Sequence, residues 1–262
     1  MMRAAVLGSP ILHSLSPRIH KKAYEILGIA ADYEAIELDE SSFLRFFAEN
    51  SGATWNGFSL TMPLKEVAFE VTTNIDERTK RINSANTIYR IGTNWLATST
   101  DLLAFDNLLS VSSSAKVAII GAGGTARAAA GSLNSKISQL DVLLRNPARI
   151  TGISKAAPDL SINIREMSAP LDDYDLIIQS TPAGAFDNYV TSLKSAEGKL
   201  LECLYKPWPT PLASRFTELG GSVISGKELL VEQALFQIKL FTQEEFDLDE
   251  MRSALLTHIA DS

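Results

Sequence analysis

The chain has 262 residues, 45% of them hydrophobic and 21% charged, with a formal net charge of −7, enough apolar material for one large core or two ordinary ones. Neither half carries a basic block, which excludes a dedicated nucleic-acid or anionic-membrane surface, and no run approaches the roughly 18 apolar residues of a membrane span. The lone cysteine, Cys203, rules out an internal disulfide and points to a reducing, cytoplasmic setting, while the three histidines lack Cys/His partners at ligand spacing, so no metal is expected.

In chain order, "RAAVLG" (3–8) reads as a strand. "SPRIHKKAYEILG" (16–28) reads as a helix, with Ser16 as N-cap, Pro17 at the first helical position and Gly28 as the stop. "YEAIEL" (33–38) is strand-like, "SSFLRFFAEN" (41–50) helical and "GFSLTM" (57–62) a strand. "NTIYRI" and "NWLATS" about Gly92 read as a hairpin. "DLLAFDNLLS" (101–110) looks helical, and "SVSSSA" is a polar connection. From there "KVAIIG" (116–121), "QLDVLLR" (139–145), "DLIIQST" (175–181) and "GKLLECL" (198–204) are apolar strands separated by helical or polar spacers, which implies a parallel sheet covered on both faces. Cys203 fits either a buried strand position or, less readily, a reactive thiol. "KELLVEQALFQIKLFT" (227–242) is a long helix. The expected fold class is therefore α/β in two domains. One runs over 105–230 and is inserted into another made of 1–104 plus 231–262.

"KVAIIGAGGTARAA" places Gly121, Gly123 and Ala126 in a G-x-G-x-x-A pattern between a strand and a helix. The first glycine permits a tight turn, the second lets the backbone approach a pyrophosphate, and the small third residue lets helix and strand pack. The helix N-terminus then offers N–H groups and a positive dipole end to phosphate. An NAD site expects an acidic residue at the end of the second strand to hold the ribose 2′-hydroxyl. That stretch, "LDVLLRNPAR", carries Arg145 and Arg149 and no acid at its end. A guanidinium pair there suits a 2′-phosphate, so NADP is expected as cofactor; the same arginines also read as solvated loop residues.

Lys65 ends the stretch "GFSLTMPLK", after Thr61 and Pro63 have interrupted a short apolar run. On spacing alone Lys65 reads as a solvated lysine, Asp101 as a helix N-cap before "LLAFDNLL", and Gln233 as either a helix-surface or a site residue.

Taken together in order, these motifs resemble the shikimate dehydrogenase family over nearly the whole chain. "GSPILHSLSP" is similar to its G-x-P-x-x-H-S-x-S-P, "SLTMPLK" to its N-V-T-x-P-x-K, and "SANT" to its G-A-V-N-T-type loop. "STDLLA" is similar to N-T-D-x-x-G, "GAGGTARA" to G-A-G-G-x-x-x-A, "LYKPWPTPL" to Y-x-P-x-x-T-P-L, and "GKELLVEQA" to G-x-x-M-L-x-x-Q. "GFSLTMP" and "LYKPWPTPL" look most like versions from high-GC Gram-positive bacteria. The resemblance implies an inserted Rossmann-type NADP domain and reversible reduction of 3-dehydroshikimate to shikimate, in aromatic amino-acid precursor synthesis. It implies Lys65 and Asp101 as the catalytic pair, the lysine aimed at the oxygen that becomes an alkoxide. It implies Ser14, Ser16 and Thr61 at the substrate carboxylate, and Asn86, Gln233 and Tyr205 at ring hydroxyls. Ser16 can also cap its helix, Thr61 can pack its loop, and Tyr205 can serve inter-domain packing. Around the cofactor the resemblance implies Gly121, Ala122, Gly123, Gly124, Thr125, Ala126, Arg145, Asn146, Arg149, Thr181 and Gly226. This chain departs from the pattern at Ser59 (Asn in the family), Ser99 (Asn), Ala104 (Gly) and Lys21 (often Asn).

The expected partners are a small-molecule substrate and no nucleic acid or membrane, with the chain a monomer or homodimer. The substrate site is expected between the domains, with a hinge near 100–105 and 230. Competing readings are a paralogue that favours quinate or uses NAD, a dinucleotide sensor without turnover, and a methylene-folate dehydrogenase of similar build.

Overall fold

The computed structural model describes residues 1–52 and 55–261. The chain forms two compact units, Met1–Ala104 with Leu230–Ser262, and Phe105–Leu229.

The first unit begins with β1 (Met2–Gly8), α1 (Ser16–Leu27), β2 (Ala31–Glu37), α2 (Glu40–Asn50) and β3 (Gly57–Leu60). It continues with α3 (Ala68–Val71), α4 (Glu77–Ile82), β4 (Thr87–Ile91) and β5 (Asn94–Thr98). α5 (Thr100–Leu108) carries the chain into the second unit. There β6 (Val117–Ile120), α6 (Gly124–Leu133), β7 (Gln139–Leu143), α7 (Ile150–Ala156) and β8 (Ser161–Arg165) are followed by β9 (Leu176–Gln179), β10 (Lys199–Glu202), α8 (Pro211–Glu218) and β11 (Ser222–Ile224). α9 (Gly226–Thr242) returns to the first unit, which ends with α10 (Leu248–His258). Among the described residues no helix is long and apolar enough to cross a membrane.

The first sheet has the order β2-β1-β3-β4-β5. β1 pairs in parallel with β2 and β3, whereas β3, β4 and β5 pair antiparallel. The pleat sends successive residues of β1 to opposite faces. Ala4 and Val6 join α1, α9 and α10 in one apolar cluster, while Ala5 and Leu7 join Phe43, Phe58 and Trp95 in another. Because β4 runs back against β3 with Ser59 opposite Thr87, the connections that leave β1, β2, β3 and β5 and the segment that enters β4 meet at one edge of this sheet.

The second sheet is parallel throughout and has the order β11-β10-β9-β6-β7-β8. Counted from β6, that is 3-2-1-4-5-6 read from the other end. This is the doubly wound arrangement, whose order reverses between its first and fourth strands. The chain leaves β6 and β9, the two strands at that reversal, through Gly121 and Ser180, and Ser180 N–H donates to Ile120 O at 3.0 Å.

Two elements differ from the sequence expectation. α1 starts at Ser16 itself: Leu15 occupies the cap position with helical backbone and no side-chain cap bond, which puts Pro17 at the second helical position. The preceding Ser14 N–H already closes a turn onto Ile11 O at 3.0 Å, so Ser16 is not the N-cap. β3 stops at Leu60 rather than Met62 because Leu64 N–H turns back to Thr61 O, at 2.8 Å, and takes the chain out of the ladder.

Candidate functional site

The edge where those connections meet gathers the polar side chains of the first unit. Gly8, at the end of β1, makes the approach possible: a Cβ there would lie 2.4 Å from Thr61 Cγ2 and 2.8 Å from Met62 O. The start of the connection that leads through Ser14 to α1 is thereby held against the loop bearing Thr61, and Ser9 N–H donates to Met62 O at 2.9 Å. Ser14 Oγ accepts from Ser16 N–H at 3.3 Å, and Ser16 is 5% exposed.

Lys65 Nζ donates to Asp101 Oδ2 at 2.6 Å, with side-chain exposures of only 19% and 12%. Its backbone carbonyl accepts from Ala85 N–H at 2.9 Å, which ties the lysine loop to the "SANT" segment. Asp101 lies in the first turn of α5, but the side chain that caps that turn is Ser99, whose Oγ accepts from Leu102 N–H at 3.3 Å. Asp101 is therefore free of the N-cap duty its position suggests. Ser99 N–H in turn donates to Thr79 Oγ1 at 2.9 Å, and Ala104 is fully buried, so both departures from the family pattern sit in satisfied positions.

Asn86 is the centre of the cluster. Its Nδ2 has acceptors at Asp101 Oδ1 (2.9 Å), Thr100 Oγ1 (2.9 Å) and Gln233 Oε1 (3.2 Å). An amide has two N–H bonds for those three partners, so one contact can yield to a ligand hydroxyl. Asn86 Oδ1 accepts from Thr100 N–H at 2.7 Å, which fixes the amide with its donor end towards Asp101. Gln233 Nε2 donates to Leu230 O at 2.7 Å, leaving its oxygen turned to Asn86 and Thr100. The first residue of α5, Thr100, is thus a further partner, one that periodicity does not single out because it is one fully buried hydroxyl among several small polar residues.

In the second unit, Gly121 closes β6 with φ +113°. A Cβ there would meet Ser180 Oγ at 2.7 Å, whereas one at Gly123 meets nothing within 4 Å. The tight turn and the open approach are thus divided between the two glycines, as a pyrophosphate site requires. Gly123 stands at the N-cap of α6 and Gly124 opens it; Thr125 and Ala126 follow in its first turn. The residues fit a dinucleotide: a ten-residue helix presents its N-terminus where first-turn N–H groups lack intrahelical partners. Gly121→Ala should destabilise the chain by about 1–3 kcal/mol, from a disfavoured backbone and the Ser180 clash. A melting temperature equal to that of the parent would contradict this.

Arg145, Asn146 and Arg149 follow β7, all exposed. Asn146 Oδ1 accepts from Ala148 N–H at 3.1 Å and starts a short 3₁₀ turn, Pro147–Arg149. Thr181 N–H and Oγ1 both donate to Gln179 Oε1, at 2.6 and 2.9 Å. Gly226 begins α9, and a Cβ there would lie 2.5 Å from Leu204 O, so close backbone approach requires the glycine. Tyr205 is on the loop after β10, half-buried, in the second unit rather than among the residues bonded to Asn86.

That loop has a support the sequence does not reveal. Glu202, fully buried at the end of β10, accepts from Leu204 N–H (3.0 Å) and Thr210 Oγ1 (2.8 Å), one partner at each end of the Tyr205 segment. Burial pushes its carboxyl up from 4.5 to about 7. A carboxyl raised on folding holds its proton more tightly in the folded chain. Its stabilising contribution is therefore full below the unfolded value and is lost as pH rises through about 7. Glu202→Gln should remove that part of the pH dependence, making the variant gain on the parent by a few kcal/mol between acid and mildly alkaline pH. Parallel stability–pH curves for the two would refute it.

Comparison with known proteins bears on both units. Residues 6–88 match the model of the shikimate dehydrogenase substrate binding domain, and residues 104–196 match that of shikimate / quinate 5-dehydrogenase. The chain is similar to the crystal structure of Mycobacterium tuberculosis shikimate dehydrogenase, with 31% identity, TM-score 0.89, and 98% of this chain and 100% of that one covered. It is similar to the Thermus thermophilus shikimate 5-dehydrogenase solved in complex with NADP(H) and shikimate, with 25% identity, TM-score 0.86, and 99% and 100% covered. A curated relative, shikimate dehydrogenase (NADP(+)) of Staphylococcus epidermidis, is 29% identical over 264 residues, covering 97% of each chain.

Proposed function

We infer, since this chain belongs to the shikimate dehydrogenase family, that it catalyses the reversible NADP-dependent reduction of 3-dehydroshikimate to shikimate. The observation that carries the reading is the Lys65–Asp101 pair, 2.6 Å apart and bonded to Asn86, in the unit that contains the matched substrate-binding region.

NADPH, when bound, supplies the hydride for the carbonyl carbon. The chain must then stabilise the oxygen as it becomes an alkoxide and give it a proton. Lys65 is suited to both tasks. One N–H is used on Asp101 Oδ2, and an ammonium has two more to direct at the reacting oxygen. As charge develops there the contact strengthens, the proton passes from Nζ to oxygen, and the lysine regains a proton from solvent. In the reverse direction neutral Lys65 takes the hydroxyl proton. Asp101 aims the lysine; the Asn86 donor on Oδ1 leaves Oδ2 for that purpose. Ser14, Ser16 and Thr61 receive the substrate carboxylate, and Asn86, Gln233 and Tyr205 receive ring hydroxyls. Gly121, Ala122, Gly123, Gly124, Thr125 and Ala126 hold the pyrophosphate, Arg145, Asn146 and Arg149 the 2′-phosphate end, and Thr181 and Gly226 border the cofactor. The proposed setting is the reducing cytoplasm, which suits a chain with the single cysteine Cys203, as a monomer or homodimer.

The test is an absorbance assay of reduced nicotinamide with shikimate and quinate, each against NADP and NAD. Highest kcat/KM with shikimate and NADP is expected. Absence of turnover in all four combinations would overturn the assignment.

A further inference from the structure

Behind Asn86, away from the Lys65–Asp101 pair, lies a second polar group of side chains that the reaction itself does not use. Its centre is Gln237, on α9, four residues after Gln233 and so on the same helix face. Gln237 is 1% exposed in a neighbourhood of Val231, Ala234, Leu235, Ile238 and Phe241, all core residues. A buried amide with unmet bonds would be costly there. All four of its bonding positions are filled. Oε1 faces Ser59 Oγ at 2.7 Å and His20 Nε2 at 3.2 Å. Nε2 faces Asn86 O at 3.3 Å and Thr87 Oγ1 at 3.0 Å.

The direction of the bonds at Gln237 follows from chemistry. Asn86 O can only accept, so the amino end of Gln237 must face it. The other end is then the oxygen, which only accepts. Ser59 therefore donates to Gln237, and Ser59 Oγ accepts from Tyr33 O–H at 2.6 Å. His20, stacked on Tyr33 with ring centroids 4.0 Å apart and held neutral by burial, places its single N–H on Nε2 and accepts from Tyr24 at Nδ1, 3.2 Å away. On the other side, Thr87 Oγ1 receives the Gln237 donor and so keeps its own hydrogen for Asn86 Oδ1 (3.2 Å) or Thr100 Oγ1 (3.1 Å). The donors thus run one way, from the aromatic cluster through Ser59 and Gln237 to Thr87 and Asn86, and end on the Asp101 carboxylate. α9 grips Asn86 twice, by its side chain through Gln233 and by its backbone carbonyl through Gln237.

We propose that Gln237 is a positioning residue for the reaction: with Ser59 behind it, it holds the Asn86–Thr87 segment so that the Asn86 amide donates to Asp101 and the Lys65–Asp101 pair keeps its aim. The proposal rests on the reading of Lys65 and Asp101 as the reacting pair. It also gives Ser59, where the family resemblance has Asn, a definite duty in this chain: a hydroxyl short enough to accept from Tyr33 and donate to Gln237 at once.

Gln237→Glu separates the two ends of the side chain. The carboxylate still accepts from Ser59 and His20, but it cannot donate to Asn86 O and draws the Thr87 hydroxyl away from Asn86. A displaced positioning group costs about ten- to a hundredfold in turnover, so kcat for shikimate should fall by that order while KM for NADP stays within about twofold. Ser59→Ala, a milder change that keeps Gln237, should lower kcat by about threefold and serves if Gln237→Glu fails to fold. In an Asn86→Ala background, Gln237→Glu or Ser59→Ala should add almost nothing, because each acts through Asn86. Losses that multiply in the double variant, or a kcat equal to the parent's, would overturn the proposal. If shikimate is turned over and Asn86→Ala lowers kcat while neither relay variant does, only the relay fails. If the unaltered chain turns over nothing, the assigned reaction fails, and the relay is judged by hydrogen exchange of the Asn86 side-chain amide. Exchange about tenfold faster in Gln237→Glu or Ser59→Ala supports it, and unchanged exchange refutes it.

Discussion

Lys65→Ala is expected to lower kcat for shikimate oxidation by about 10²–10⁴-fold, the range for a general acid–base group, with KM for shikimate changed less than about tenfold. The split follows from when the charge exists. The ketone and the alcohol are neutral at the reacting oxygen, so a lysine there gains most in the transition state, where that oxygen is becoming an alkoxide. Were Lys65 only an anchor for the substrate, its loss would appear in KM. Asp101→Asn should give a loss of similar order, and the double variant little more than either single one, because the 2.6 Å pair acts as a unit. Near-parental kcat at saturating shikimate for Lys65→Ala would end this assignment.

The second large effect concerns the cofactor. Replacing both Arg145 and Arg149 with alanine should raise KM for NADP by about 10- to 100-fold, since a charge-assisted contact contributes roughly 1.5–3 kcal/mol. KM for NAD should stay within about twofold, because only the 2′-phosphate is lost as a partner. Both arginines are exposed, so the discrimination in the parent should also shrink as ionic strength rises. Equal rises for both cofactors would show that the pair holds something other than the phosphate.

Much of the second unit was legible from local pattern. A buried strand, a glycine turn and an alanine-rich helix are adjacent in sequence. Their chemistry is decided within about 15 residues by steric rules that need no tertiary partner. The hairpin about Gly92 was readable for the same reason: Gly92 takes φ +60° between two alternating runs. α3, α4, α7, β8 and β11 were not marked, because each is seven residues or fewer and carries too little periodicity to stand apart from a loop. The separate motifs gave the candidate residues only with the help of the family resemblance, since spacing alone made Lys65 a solvated lysine and Asp101 a cap.

What the sequence determined by itself was therefore the local hardware: the α/β class, the strand–glycine–helix junction from Gly121 to Ala126, and the absence of an acid beside Arg145 and Arg149. What only the tertiary structure decided was which side chains share their bonds. Lys65 meets Asp101 across 36 residues, Asn86 meets Gln233 across 147, and Ser59 meets Gln237 across 178. Whether Ser99 or Asp101 caps α5, and whether Gln237 is a stray polar residue on an apolar helix or a fully bonded one, depends on what the fold packs against it. A buried polar group is tolerated only where partners meet every donor and acceptor, and the topology, not the local sequence, brings those partners to it.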